Sequence, residues 1–171
     1  MPYLSGRVES RFQATFDRIN EILEPAAEIV ERELGGRVDV AHIAVVSTRD
    51  MADKEYSAHR ALFGQSVQPP RWGWRAPAGL TTVSPHGTLV LFNAQVLRGN
   101  RRQIDKTVLH ELGHAVQFGR PGARELIMRG ERHNYGVLRL PEAEARALDA
   151  LVGQREREAE RLERLAHKLP R

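Results

Sequence analysis

Cysteine is absent from the 171 residues, which excludes a disulfide framework and leaves any metal to be held by His, Asp or Glu. Long apolar runs are missing as well. No window holds the roughly 18 uncharged apolar residues that a bilayer span needs, and the opening MPYLSGRVESRF lacks the apolar core of a signal peptide. The expectation is a cytoplasmic protein with no membrane contact, although a secreted domain after processing would read the same way. Aromatic residues are sparse, at 6%, whereas 41% hydrophobic and 28% charged residues are ordinary for a globular chain. A chain of this length supports one domain with a real core, so residues 1–171 read as a single domain. The net charge of +4 comes largely from arginine interleaved with glutamate, the pattern of a solvated surface. No helix-turn-helix or base-reading basic region is recognisable, so nucleic acid is not an expected partner.

Spacings of three and four link Val8, Phe12, Phe16, Ile19, Leu23, Ala27, Val30 and Leu34 and predict an amphipathic helix over 8–34. Pro25 should kink or restart it, and the LGG at 34–36 should end it. VDVAHIAVV, 38–46, is β-branched and predicts a buried strand with His42 in the core. DMADKEYSAHRALFG predicts a short helix capped by Asp50 and stopped by Gly64, with His59 on its surface. The next stretch, QSVQPPRWGWRAPAG, has too much proline and glycine for regular structure. Its Trp72 and Trp74 either serve a site or cover an edge of the core. LTTVS and TLVLFN around PHG predict a hairpin with its second strand at 88–93 and His86 at the turn. Asn100 is placed to cap a helix that buries Ile104, Val108, Leu112, Ala115 and Val116 and ends at Gly119 and Pro121. Residues 120–140 show no periodicity and read as an ordered loop. Pro141 opens a last helix to about 169, strongly charged beyond Gly153.

Inside the helix after Asn100, TVLHELGHAVQF (107–118) sets His110, Glu111 and His114 in an otherwise apolar run. Residues four apart share a helix face one turn apart, so the two imidazoles present themselves to a common point. Zinc takes two such nitrogens at about 2.0 to 2.1 Å. Glu111 is rotated toward the edge of that face, where its carboxylate reaches a water on the metal rather than the metal itself. Gly113 costs about 1 kcal/mol in a helix interior and calls for something passing close to the backbone.

HELGH, with TVL before it and AVQF after it, resembles the active-site helix of the zincin metallopeptidases. The resemblance implies His110 and His114 as zinc ligands and Glu111 as catalytic base. A catalytic zinc usually takes three protein ligands. The metzincin continuation would place glycine at 117 and histidine at 120, where this chain has Gln117 and Arg120. The resemblance therefore points to gluzincins and ImmA/IrrE-like peptidases, which supply a glutamate from a later helix. Their downstream Glu-x-Glu-Ala pattern is similar to PEAEARAL at 141–148. The two glutamates there lie about 200° apart on a helix. Glu144 shares its face with Leu148 and Leu151 and is the expected third ligand. Glu142, beside Ala145 and Asp149, has a sufficient purpose as a negative charge at a helix N-terminus. His133, in RHNYG, is a third candidate and would give a three-histidine site. The gluzincin aspartate four residues after the ligand is missing, since Leu148 stands there, and Asp149 is its possible substitute. In several zincins a tyrosine or histidine beyond the metal helix donates to the oxyanion. Tyr135 and His133 are the candidates here, with plain loop anchoring as the alternative.

The expectation is an α+β, minimal zincin-like domain. A small mixed sheet from 38–46 and 79–93 packs on the N-terminal and His-Glu-x-x-His helices, and the long charged C-terminal helix, 141–169, carries the third ligand. By the resemblance it is a zinc (Zn2+) metalloendopeptidase, a hydrolase of protein or peptide substrates with Glu111 as general base. The strand at 88–93 would edge the cleft and receive an extended substrate, and Trp72 and Trp74 would wall a side-chain pocket. The alternative is a zincin-fold metal-binding sensor or regulatory module without peptidase activity, against which the intact Glu111 argues.

Overall fold

The computed structural model describes residues 4–5, 9–72 and 75–171; Val8 and Trp74 lie outside the described residues. After one 3-10 turn at Ser10–Phe12, the three-and-four spacing becomes helix α1, Gln13–Leu34, ended by Gly35 at φ 66°, a conformation a Cβ disfavours. The expected restart at Pro25 does not occur, and α1 runs through it. An interior proline costs about 3 kcal/mol. On either side of it Ile19, Ile22, Leu23, Ile29 and Val30 are buried, and at roughly 1.5 to 3 kcal/mol for each such side chain that packing outweighs one lost hydrogen bond.

Four strands form a mixed sheet: β1 (Leu4–Ser5), β2 (His42–Val46), β3 (Gly79–Ser84) and β4 (Gly87–Asn93), in the order β1-β2-β4-β3. β2 is parallel to both β1 and β4, whereas β3 is antiparallel to β4 through the expected hairpin. β2 starts later than predicted, because the Val38 amide is taken by the Glu31 carboxylate at 2.8 Å instead of a neighbouring strand. His42, expected in the core, is exposed at the first position of β2, and the four residues after it are buried. That continuous burial follows from layers on both faces. Ile43, Val45, Val90 and Phe92 pack against α1 and helix α4, Arg101–Phe118. Ala44, Val46, Leu89 and Leu91 pack against Met51 and Ala58 of helix α2, Thr48–Phe63.

Two local expectations are corrected on the α2 side, and a choice left open for Trp72 is narrowed. The cap of α2 is Ser47, whose hydroxyl accepts from the Asp50 amide at 3.1 Å and donates to the Asp50 carboxylate at 2.8 Å, so Asp50 answers the cap from inside the first turn. His59 is buried rather than on the surface. Trp72 packs over the α2 layer of the core. After the short α3, Ala94–Leu97, and α4, residues 120–140 do not form the predicted loop; Ala123–Asn134 form helix α5. Its apolar face is narrow and only Ala123 is buried. Ile127 and Met128 half-cover Phe63, Val67 and Val83, a stripe too short to show against RGERHN. Helix α6 spans Glu142–Glu163 behind Pro141, as predicted, and passes into a 3-10 turn at Arg164–Lys168. No helix among the described residues is long and apolar enough to cross a membrane.

Glu55, on α2, has a buried carboxyl oxygen without a hydrogen-bond partner. Burial, followed by the nearby Glu131 charge, pushes its carboxyl up to about 7 from 4.5. A carboxyl whose folded pKa is raised favours folding while protonated; that contribution is complete below 4.5 and lost as pH rises through about 7. Glu55→Gln is therefore expected to raise the melting temperature at pH 8 and to change it little at pH 4.5, as thermal melts across that range will show.

Candidate metal centre

The side chain of Asn100 starts α4 by accepting from the Gln103 amide at 3.0 Å. Ile104, Val108, Leu109, Leu112, Ala115 and Val116 then fix the helix in the core, which turns His110 and His114 toward α6. A Cβ on Gly113 would collide with Leu162 Cδ1 of α6. The glycine lets α6 cross directly on α4, with Ala159 and Leu162 buried in the contact. That crossing lays Glu156 over both imidazoles, with Oε1 3.2 Å from His114 Nε2 and Oε2 3.5 Å from His110 Nε2. The two Nε2 atoms are themselves 3.1 Å apart. One ligand atom from each of His110, His114 and Glu156 lies within 4.8 Å of the others.

The far side of each ring decides which nitrogen carries the hydrogen. His110 Nδ1 faces Glu163 Oε1 at 3.1 Å, and the other oxygen of Glu163 meets Lys106 Nζ at 3.4 Å. His114 Nδ1 faces Gln117 Oε1 at 2.9 Å. The Gln117 amide cannot be turned round, since its Nε2 donates to the Arg155 carbonyl at 3.0 Å and to Glu158 at 3.1 Å. Both Nδ1 atoms therefore donate to acceptors. In the neutral rings both Nε2 lone pairs point toward Glu156, and a protonated ring donates from Nε2 to that carboxylate instead. Two lone pairs and a carboxylate at such distances repel one another unless a cation or a proton lies among them. A donor set of two imidazole nitrogens and one carboxylate oxygen, with outer acceptors orienting the rings, is one that zinc accepts. The charges are consistent with that focus. Hydrogen bonding to His114 holds the Glu156 carboxyl below its usual range. Burial is the largest influence on His114 and opposes its charged form, yet Glu156, Glu111 and Gln117 together raise its pKa.

Glu111 occupies the side of α4 that faces the sheet. It is buried, and the Thr81 hydroxyl of β3 lies 2.7 Å from its Oε2 as donor. A Cβ on Gly79 would stand 2.5 Å from Glu111 Cγ, so that glycine makes the slot the side chain fills. Burial pushes the Glu111 carboxyl up, partly offset by His114, Thr81 and His110.

The other residues singled out in the sequence are placed differently. Glu144, the expected third ligand, is engaged by Arg129, and Glu142 by Arg146; neither carboxylate joins the histidines. Glu144 precedes Glu156 by twelve residues, about 18 Å along a helix. The part of α6 that meets α4 is its C-terminal half, and Leu148 and Leu151 are half-buried rather than in the core. His133 Nδ1 lies 3.2 Å from the Leu138 carbonyl, and its side chain lines a cavity next to His114 and Glu156 without entering the cluster. The Tyr135 hydroxyl, expected near the oxyanion, instead lies 2.6 Å from His59 Nδ1, while His59 Nε2 lies 2.6 Å from the Thr82 hydroxyl. Successive strand residues face opposite sides, so Thr82, His59 and that hydroxyl are on the α2 side of β3, and Thr81 and Glu111 are on the α4 side. Burial depresses the His59 pKa, which suits a neutral ring between two hydroxyls. Tyr135→Phe is thus expected to leave zinc affinity unchanged and to cost about 1 to 3 kcal/mol of stability, by leaving a buried ring nitrogen unpaired; paired zinc titration and denaturant melts will separate the two. Glu163, not Asp149, is the carboxylate that faces His110 Nδ1, and β4, expected at the cleft edge, lies between β2 and β3, with β3 outermost.

Glu156 and its outer partners were missed by the sequence reading, though a signal existed. Glu-x-Glu-Ala occurs twice, at 142–145 and at 156–159. In the second copy Glu156 meets the histidines and Glu158 holds Gln117. No family model, curated protein or solved structure matches this chain, so the reading of the site rests on its own geometry.

Proposed function

We propose that the chain is a zinc-dependent peptidase, with His110, His114 and Glu156 holding the ion and Glu111 acting as general base. The observation that carries this reading is the convergence of two imidazole lone pairs and one carboxylate on one point, with a buried carboxyl on the residue after the first histidine. A divalent ion held there would supply Lewis-acid polarisation of a peptide carbonyl and would lower the pKa of water. Glu111 is the group placed to take a proton from the attacking water and to hand it to the leaving nitrogen as the C–N bond breaks. The Thr81 hydroxyl holds one oxygen of Glu111, which leaves the other to accept. Gln117 and Glu163 keep the imidazoles in one tautomer and one orientation. Among the described strands β3 pairs with β4 alone, so an extended peptide can add to its other edge beside Thr81, where main-chain hydrogen bonds would align it with Glu111.

The reading is tested by incubating the chain, loaded with one equivalent of Zn2+, with a mixed peptide library. Cleavage is expected, to stop on chelation and to resume when zinc is restored. A chain that binds zinc through these residues and cuts no peptide is the metal-binding regulatory module instead.

A further inference from the structure

Beside His114 and Glu156 opens a cavity of about 250 Å3, walled by Phe118 of α4, Ile127 of α5 and Leu148 and Leu151 of α6. Leu126 and Val152, which also line it, are 42% and 54% exposed, an apolar surface left open next to the candidate metal centre. The volume falls just below the range of about 300 to 1,000 Å3 usual for drug-sized ligands, and suits one amino-acid residue better than a longer stretch of chain.

One arginine, Arg155, stands in this wall. Its side chain is half-buried, and among the described residues its guanidinium has no hydrogen bond and no ion pair. The nearby carboxylate of Glu158 is already engaged by Gln117, Arg120 and Gln154. Arg18 shows how this fold treats a buried guanidinium that is only structural: it is paired with Asp105, Glu21 and the Pro170 carbonyl. The backbone of Arg155 is fixed, because its carbonyl accepts from the amide that orients His114. Three acids also line the cavity. Glu156 is held at the two imidazoles. Burial raises the Glu131 carboxyl and favours its neutral form, and Asp149 is exposed, six residues or about 9 Å back along α6. A partly desolvated guanidinium gains most from a carboxylate, which it can meet with two parallel hydrogen bonds.

We propose that Arg155 and this cavity form the subsite for the last residue of a peptide substrate, the apolar side chain entering among Phe118, Ile127, Leu148 and Leu151 and the free C-terminal carboxylate resting on the guanidinium. It rests on the peptidase reading for its consequence: water adds across the peptide bond on the amino side of that residue and releases it as a free apolar amino acid. The binding step itself requires no metal.

The test uses N-acetyl-L-leucine and N-acetyl-L-leucinamide, titrated into the full chain with and without one equivalent of Zn2+ and followed by NMR. The acid is expected to bind at least tenfold more tightly than the amide in both conditions, and Arg155→Gln is expected to reduce the acid to the level of the amide. Equal affinities, no binding of either probe, a preference that survives Arg155→Gln, or a preference that appears only with zinc would each overturn the subsite. The acid-amide comparison in the unaltered chain needs no variant to fold. A chain that shows this preference but cuts no peptide with zinc bound would sink the peptidase reading and leave the subsite standing.

Discussion

Glu156→Ala is expected to weaken zinc binding by more than 100-fold, whereas Glu144→Ala and Glu142→Ala leave it unchanged. The contrast follows from where α6 touches α4. Gly113 admits Leu162 and Ala159, and that contact fixes Glu156 within 3.2 Å of one imidazole nitrogen and 3.5 Å of the other. Glu144 is occupied by Arg129 near the start of the same helix. Loss of a group that only orients a ligand costs about 10- to 100-fold in metal affinity, so loss of a direct ligand, the part proposed for Glu156, should exceed that. The same variant should lose the thermal stabilisation that zinc confers. A ligand at 1,000 times its Kd stabilises the folded state by about 4 kcal/mol, and the zinc-dependent rise in melting temperature should vanish in Glu156→Ala and persist in Glu144→Ala. Loss of affinity confined to Glu144→Ala would show that α6 meets the histidines through its first turns instead.

Glu111→Gln is expected to abolish peptide hydrolysis while keeping the metal. The amide has the shape of the carboxylate, fits the slot beside Gly79 and can still accept from Thr81 through its oxygen, but it cannot take a proton. A positioned general base contributes about 10^2 to 10^4 in rate, and a loss of that order, with zinc affinity unchanged, marks a base rather than a ligand. A Glu111→Gln chain that cleaves at the unaltered rate would remove Glu111 from the mechanism.

The parts legible in the sequence were those in which local pattern and packing agree. The hairpin around His86, the Asn100 cap, the buried stripe of α4 and the pairing of His110 with His114 all follow from spacings of two, three or four residues, and the structure contains each of them. Gly113 signalled a close approach, which α6 makes. What the sequence concealed depended on contacts far apart in the chain. Pro25 could be accommodated because the residues around it are buried on α1, a fact of tertiary packing. His59 looked like surface because its partners, Thr82 and Tyr135, are 23 and 76 residues away.

Glu144, the expected third carboxylate, stands apart from the histidines for a related reason. Matching the downstream Glu-x-Glu-Ala pattern to its first copy, at 142–145, put the start of α6 at the site, whereas α6 meets α4 around Ala159 and Leu162. Helical phase told which residues of α6 share a stripe, and it gave no information on which turn of that stripe crosses α4. That was settled by Gly113, Ala159 and Leu162 packing together. Gln117 shows the same limit from the other side: in sequence it served to exclude a metzincin continuation, and in the fold it is the acceptor that fixes His114.

The most direct test of the centre is an anomalous-scattering map, recorded at the zinc edge, from crystals of the chain loaded with Zn2+. One peak per chain is expected, about 2.0 to 2.2 Å from His110 Nε2, His114 Nε2 and a Glu156 oxygen, with Glu111 outside bonding distance. A peak bonded to Glu144 or His133 in place of Glu156, or no peak near His110 and His114, would contradict the account.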